Sequence, residues 1–436
     1  MASSPNQGDD HFSADFRVEF PTWHDLRRHV SSIANHPEFD ERRALHQILA
    51  ADFAARLPSV DNGEWMLFGS LSLPTRVPLG WEWPEALAPP PGHAVDMAYL
   101  APRTAFDLDL CALGIAEGGP SDPEAAARHY GERVNATLHE VASPSEQPGT
   151  LQGLGLGGLV RYIAGDLRIF DNGQVMGVIT AQPVDTRHSL RYVPPIDDPI
   201  QIEIDVKPRS KVVFSGKPED PQRPITGISL PGFSPPALPL YPTANQFADK
   251  ACLLVGPPVS MRTATAAPWH RYKDLFDLYF IVQSHPMDGT KLREALETNW
   301  NLGRAGITRI PAPYRLYGDR SRPGEPPVPW NEGCERLRSG VAQLQRWYPD
   351  FKGLRDSVSA YIDQLPGVNQ ASQWHPSQGW TPTAASERRP SRPAQLGATA
   401  FPHPAGSHNA PTLQTPPDTK PKPGQPPSPP HQARRS

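Results

Sequence analysis

Residues 200–206 read Ile200-Gln201-Ile202-Glu203-Ile204-Asp205-Val206, an unbroken alternation of apolar and polar side chains. Successive side chains of a strand point to opposite faces. The stretch therefore predicts a half-buried strand, with Ile200, Ile202, Ile204 and Val206 on a dry face and Gln201, Glu203 and Asp205 on a wet one. Whatever the chain folds into must build a core on one side of this strand and leave two carboxylates on the other. A second strand of the same kind is expected over residues 104–110, where Phe106, Leu108 and Leu110 point inward and Asp107 and Asp109 point outward together.

Other elements follow from local pattern. Two helices are expected between residues 22 and 57, the second carrying Leu45, Ile48, Leu49 and Phe53 at helical spacing. Trp65-Met66-Leu67-Phe68 reads as a short buried strand that stops at Gly69-Ser70, and a Pro- and Trp-rich loop then fills residues 74–102. Ser121-Asp122-Pro123-Glu124 opens a helix to about residue 141, with a cap, a first-turn Pro and acids. Asp171-Asn172-Gly173 joins two apolar runs as a hairpin. Helices are expected over 244–255 and 271–283, and a helical region over 291–365. Residues 1–15 and 366–436 are polar or Pro-rich without periodicity, and are expected to be disordered because they bury too little apolar surface.

Bulk chemistry narrows the function classes. Lys and Arg total 42 against 46 Asp and Glu, so overall charge does not mark a nucleic-acid binder. Cys111, Cys252 and Cys334 are far apart, without metal-ligand or disulfide spacing. No apolar run approaches the roughly 20 residues that span a bilayer, and residues 1–15 lack the pattern of a secretory signal. A cytoplasmic protein without a membrane partner is expected.

Two carboxylates one strand-step apart, as in Asp107 and Asp109, can share a divalent cation, and Mg²⁺ prefers such oxygen ligands while keeping positions for phosphate. A solvated edge strand would read the same. A second acid-bearing strand is what two-metal phosphoryl transfer needs; Asp205 is its candidate, with Glu203 in reserve. Gly69-Ser70 at a strand end suits close approach of backbone to phosphate. Lys250 borders the apolar stripe Ala244, Phe247, Ala248, Ala251 and Val255, where a lysine either snorkels to solvent or meets a phosphate. Thr243 and Gln246 have capping-box spacing. In Arg271-Tyr272-Lys273-Asp274-Leu275-Phe276-Asp277-Leu278, Asp274 and Asp277 share a helix face, and Lys273 and Asp277 are spaced i, i+4. An ordinary helix start with acids near its N-terminus has the same pattern.

In this order, these blocks resemble the nucleotidyltransferases of the AbiEii/AbiGii toxin family, over about residues 43–365. The blocks are Phe68-Gly69-Ser70, Arg103-Thr104-Ala105-Phe106-Asp107-Leu108-Asp109-Leu110, Ile202-Glu203-Ile204-Asp205-Val206, Tyr241-Pro242-Thr243-Ala244-Asn245-Gln246-Phe247-Ala248-Asp249-Lys250, and the Arg271–Leu278 segment. The resemblance implies an α+β fold with a polymerase-β-like nucleotidyltransferase core, a small mixed sheet flanked by helices. It implies a nucleotidyltransferase domain over 16–290 and a helical C-terminal part over 291–365. Gly69 and Ser70 would hold the triphosphate; Asp107, Asp109 and Asp205 would bind Mg²⁺ or Mn²⁺, Asp205 completing the metal site or acting as base. Lys250 would pair with phosphate, and Asp274 would be a catalytic acid supported by Lys273 and Asp277, with Lys273 also near nucleotide. Implied partners are an NTP, an RNA acceptor such as tRNA, and a cognate antitoxin.

The family's usual Ser or Thr two residues before the first Asp is Ala105 here, the loop between Ser70 and Asp107 is longer, and the arginine after the glycine motif corresponds to Arg76. These departures bear on acceptor choice. The alternatives are a small-molecule nucleotidyltransferase and a degenerate nucleotidyltransferase serving as a scaffold. Gly153-Leu154-Gly155-Leu156-Gly157-Gly158 matches a dinucleotide-binding pattern but lacks the preceding strand, and reads as a flexible connector. Arg161, Arg168, Arg187, Arg191, Arg209 and Lys211 read either as an RNA track or as scattered surface charge, and His270 as solvent-facing.

Overall fold

The computed structural model describes residues 14–34, 39–61, 64–81, 83, 97–103, 105–113, 122–142, 154–184, 196–209, 212, 214, 216–235, 237–255, 272–301, 330–365 and 371–383. The elements run α1 (Ala14–Glu19), α2 (Trp23–Ile33), α3 (Glu41–Asp61), β1 (Trp65–Phe68), α4 (Met97–Leu100), β2 (Asp107–Ala112), α5 (Pro123–Ala142), β3 (Leu154–Gly155), β4 (Val160–Ala164), β5 (Arg168–Ile169), β6 (Val175–Pro183) and β7 (Ile200–Lys207). There follow α6 (Thr243–Val255), α7 (Tyr272–Ser284), β8 (Met287–Asp288), α8 (Gly289–Asn301), α9 (Trp330–Gly340), α10 (Ala342–Trp347), α11 (Phe351–Asp363), β9 (Ser372–His375) and β10 (Gly379–Pro382).

The larger sheet is mixed, in the order β1-β2-β7-β6-β4-β3 with β5 on β6. β2 and β7 lie side by side in parallel, and β7 pairs antiparallel with β6. Burial along β7 alternates as its sequence demands, and Ile202, Ile204 and Val206 enter the core with Leu108 and Leu110 of β2. Helices α3 and α5 pack against the sheet. The acids of β2 and β7 share the opposite face with a small apolar cluster that includes Met66, Phe68, Cys111 and Tyr241. The fold class is thus α+β, a small mixed sheet flanked by helices.

At its outer edge, β1 pairs with the chain just before α6: Leu67 N–H donates to Pro239 O at 2.8 Å and Tyr241 N–H to Leu67 O at 2.9 Å. This pairing delivers α6 to the end of β1, where Gly69 and Ser70 lie. One continuous hydrophobic core extends from Phe16 to Trp374. The expected C-terminal part, 291–365, therefore shares its core with the residues before 290.

Several expectations change. Strand β2 begins at Asp107 rather than 104, because its pairing with β7 starts at Asp107 opposite Glu203. Phe106, expected in the core, precedes that pairing; the residue is 37% exposed and its ring stands edge-on to His46. Ala14 and Asp15, expected to be disordered, begin α1, which is anchored by Phe16 and Phe20. Residues 372–382 were expected to be disordered, yet β9 and β10 form a hairpin that joins β8. The reason is Trp374 and Trp380, which pack on Tyr361 and donate their indole N–H groups to Val282 O and Tyr361 O.

The glycine-rich run is not a loose connector over its described residues. Leu154–Gly155 pairs with β4, and Leu156 N–H donates to the buried Asp52 carboxylate at 3.0 Å. Residues 1–13, the loop at 84–96, Thr104, Gly153, Arg187, Arg191, Lys211, His270, Arg271 and the tail from 384 lie outside the described residues.

Candidate active site

The parallel register sets Asp109 beside Asp205 and Asp107 beside Glu203. Paired residues of adjacent strands project to one face, so the two acid-bearing strands present all four carboxylates together. Asp107 and Glu203 are exposed, while Asp109 and Asp205 are half-buried. Burial, together with the charges of Asp205 and Asp107, pushes the Asp109 carboxyl up to about 7 even though Lys207 pulls it down.

Gly69 turns the chain out of β1 at φ +72°, and a Cβ there would fall 1.7 Å from Asp109 Oδ2. A side chain at this position cannot coexist with that carboxylate, so the glycine is required by both backbone conformation and space. The turn is held from below. Gln246 donates to Gly69 O at 2.7 Å, and Arg76 donates to Gln246 Oε1 at 2.7 Å and to Thr243 Oγ1 at 3.1 Å. Arg76 is buried and also meets Glu219 at 3.2 Å; burial holds its guanidinium down to about 10 against that carboxylate's pull. Arg76 therefore props the loop. The predicted capping box is not made: Thr243 is the first residue of α6 and donates to Glu219, and the Gln246 side chain is taken by Gly69.

Beside the turn lies a buried ionic cluster. Lys250 Nζ is 2.9 Å from both Asp274 Oδ1 and Asp277 Oδ2. Arg103 grips Asp277 with a two-pronged contact, Nε to Oδ1 at 2.9 Å and Nη2 to Oδ2 at 3.0 Å. Ser70 Oγ donates to Asp277 Oδ2 at 2.6 Å and accepts from Arg103 Nη2 at 2.6 Å. Burial alone would raise the Asp277 carboxyl, but Arg103, Lys250 and Ser70 bring it down to about 2. Burial would likewise lower Lys250, yet the charges of Asp274 and Asp277 hold it above the ordinary lysine range. Thus Ser70, Lys250, Asp274 and Asp277 are brought together from β1's end, α6 and α7. Lys273 is exposed, outside this cluster: on α7 it is Lys250 from the neighbouring helix, not the residue four positions earlier, that pairs with Asp277.

The acids fit a hard divalent cation in ligand type and in sharing a face, and the upward push on Asp109 is what an added cation would relieve. They are not yet gathered around one point: among the described residues no three His, Cys, Asp or Glu side chains form a metal cluster. Asp205 is otherwise engaged, accepting from Gln174 Nε2 at 2.6 Å and lying 3.7 Å from Lys207 Nζ. Lys207 in turn sits 4.4 Å from the centre of the Phe68 ring.

Arg103, Gln246, Gln174 and Lys207 were not assigned to the site from sequence. Arg103 had a signal, since it stands four residues before Asp107 in the same block. Lys207 also had one, since it follows Asp205 by two residues on the same strand face; Gln246 and Gln174 had none, because Gly69 and Asp205 lie 177 and 31 residues away. Of the six basic residues weighed as a track, Arg168 is exposed and paired with Asp166, and Arg209 lies over the Phe214 ring, which favours scattered surface roles for these two.

Residues 94–311, half of the chain, match the family described as the nucleotidyl transferase AbiEii toxin of a type IV toxin–antitoxin system. Among solved structures, MenT4, a nucleotidyltransferase toxin from Mycobacterium tuberculosis H37Rv, is similar at 17% identity and a TM-score of 0.32, covering 76% of this chain and 93% of that one. No curated protein matches. The match covers the Asp107, Asp109 and Asp205 strands and the α6–α7 cluster, and the chain belongs to the AbiEii family of nucleotidyltransferase toxins.

Proposed function

We propose that this enzyme moves a nucleotide from an NTP onto a hydroxyl of an RNA acceptor, tRNA being the acceptor that the family resemblance implies. The observation carrying this reading is that Asp109, in register with Asp205, lies against the Gly69 turn, so that acids and phosphate loop abut. Gly69 and Ser70 cradle the triphosphate, and Lys250 neutralises it as a point charge. Asp107 and Asp109, joined by Asp205 once it leaves Gln174 and Lys207, are the residues that would hold Mg²⁺ or Mn²⁺. Such an ion supplies charge neutralisation at the phosphates and lowers the pKa of the acceptor hydroxyl.

The acceptor oxygen attacks the α-phosphorus, the bond to the β-phosphate oxygen breaks, and pyrophosphate leaves. Asp205 takes the hydroxyl proton. Asp274 keeps Lys250 charged and oriented. Most of the rate gain comes from positioning and charge stabilisation. The transferase machinery occupies 16–290, and the helices of 291–365 support α7 from behind. The enzyme works in the cytoplasm beside a cognate antitoxin; no helix among the described residues is long and apolar enough to cross a membrane.

The test is incubation with each α-labelled NTP, Mg²⁺ and total RNA, beside Asp107→Ala. Label should enter RNA with the wild type and fall roughly a hundredfold or more in the variant, as for loss of a group that stabilises transition-state charge. Equal labelling by the variant would remove Asp107 from the site. Nucleotide binding without RNA labelling would point to a small-molecule acceptor, and no nucleotide binding to a scaffold.

A further inference from the structure

We propose that Arg103 is a second triphosphate-binding cation, and that Asp277 is the positioning residue that sets it beside Lys250. The inference rests on the transferase reading above and adds to it a determinant of triphosphate recognition.

A carboxylate offers about four acceptor positions. Asp277 is 1% exposed, and four donors occupy it: Ser70 Oγ, Lys250 Nζ, and Nε and Nη2 of Arg103. Three of these donors crowd Oδ2 and one meets Oδ1, and burial closes the carboxylate to a metal or substrate. Its role is to hold three groups drawn from separate parts of the chain: the turn after β1, the approach to β2, and α6. Asp277 therefore acts through the groups it orders.

The two-pronged contact fixes the plane of the Arg103 guanidinium through one edge. Nη1, on the other edge, has no partner among the described residues, and it is not among the buried polar atoms left without one. The Arg103 side chain is 16% exposed and that of Lys250 13%. Two cations fastened to one carboxylate thus keep a restricted opening to solvent next to Ser70. Arg103 bonds Ser70 Oγ at 2.6 Å, which places the free edge within one side chain of the proposed phosphate turn. With Nε and Nη2 taken by Asp277 and Ser70, the Nη1 amino group is left to donate to an oxygen of a terminal phosphate from a fixed plane, whereas a lysine meets it as a freely rotating point charge. Ser70, which Arg103 bonds, follows directly on Gly69, and Gly69 abuts the Asp109 carboxylate, so the cluster and the acids meet at one turn.

The experiment measures equilibrium binding, without RNA, of ATP, GTP, CTP and UTP and of their mono- and diphosphates, in Mg²⁺. The proteins are the wild type, Arg103→Gln, Arg103→Lys and Asp277→Asn, each checked by thermal melting. Arg103→Gln should weaken the preferred triphosphate about tenfold or more, as for loss of a charged hydrogen bond. It should change monophosphate binding by less than about twofold, so that discrimination between the two collapses. Arg103→Lys, which keeps charge but loses the fork, should recover only part of it, and Asp277→Asn should reduce discrimination as Arg103→Gln does. If Arg103→Gln fails to fold, Arg103→Lys carries the test by the same criterion. Undiminished discrimination in the folded variants, or an equal loss for all nucleotides, would overturn the inference while leaving the transferase reading intact. Absence of triphosphate binding by the wild type would overturn both.

Discussion

Gly69 stands at φ +72° with the Asp109 carboxylate in the space its side chain would fill. Gly69→Ala should therefore cost about 1–3 kcal/mol of stability, from a strained backbone and a displaced acid. RNA labelling should fall further, by at least roughly tenfold, because misplacement of about an ångström at a reacting centre has that effect. Urea unfolding and the labelling assay run in parallel separate the two losses; unchanged labelling would mean that Asp109 need not rest on this turn. The acids and glycine were readable residue by residue, since strand alternation and a strand end are local facts. Asp277 was readable as a helix-face neighbour of Asp274, but its partners were not. Lys273 was favoured by i, i+4 spacing, and the actual partner, Lys250, comes from another helix.

Among elements, the β9–β10 hairpin departs most from its sequence. Its surroundings are rich in Pro, Ser and Gln, and averaging over such a stretch conceals two tryptophans. Trp374 reaches Val282 O in α7 at 2.9 Å and meets the Tyr361 ring of α11 edge to face. Trp374→Ala should destabilise the protein by about 3–5 kcal/mol, the usual cost of removing a buried aromatic, with the unpaired carbonyl included. The check is the shift in urea midpoint. No shift would mean that the hairpin is a dispensable appendage. Since α7 carries Asp274 and Asp277, the hairpin braces the element that holds the ionic cluster. Helix α6 shows the opposite case: its apolar stripe was legible, but Thr243 and Gln246 serve the Gly69 turn and Arg76 instead of capping their own helix.

Over the whole molecule, buried titratable groups set the response to acid. Burial pushes His46 down to about 4 and His285 down to about 3, so both stay neutral in the fold while their unfolded counterparts protonate near 6.5. Between those values the unfolded chain binds more protons, and stability falls as pH falls. Asp109 works the other way: its raised value, about 7, makes the fold the better proton binder between about 4 and 7. Asp277, lowered to about 2, loses its contribution as pH drops from about 4 to 2. Metal-free protein should thus lose on the order of 1 kcal/mol per pH unit from 6.5 to 4, two histidines against one aspartate, and roughly twice that below 4. Urea midpoints across pH 3–7 measure this; a flat profile between 6.5 and 4 would contradict neutral burial of the histidines. Asp109→Asn should steepen the upper limb.

What the sequence determined by itself was local: the alternating strands, the acids on their wet faces, the Gly69 turn, the helices and the order of the family's blocks. These follow from backbone periodicity and turn chemistry, which act over a few residues. Tertiary structure alone decided which acids meet, through the parallel pairing of β2 with β7, and which cations face them, through the docking of α6 along the edge of β1. It also decided that Arg103 and Lys250 share Asp277, bonds that span 174 and 27 residues. Ion pairs of that reach depend on burial and on the packing of whole elements, and neither is written in the spacing of neighbouring residues.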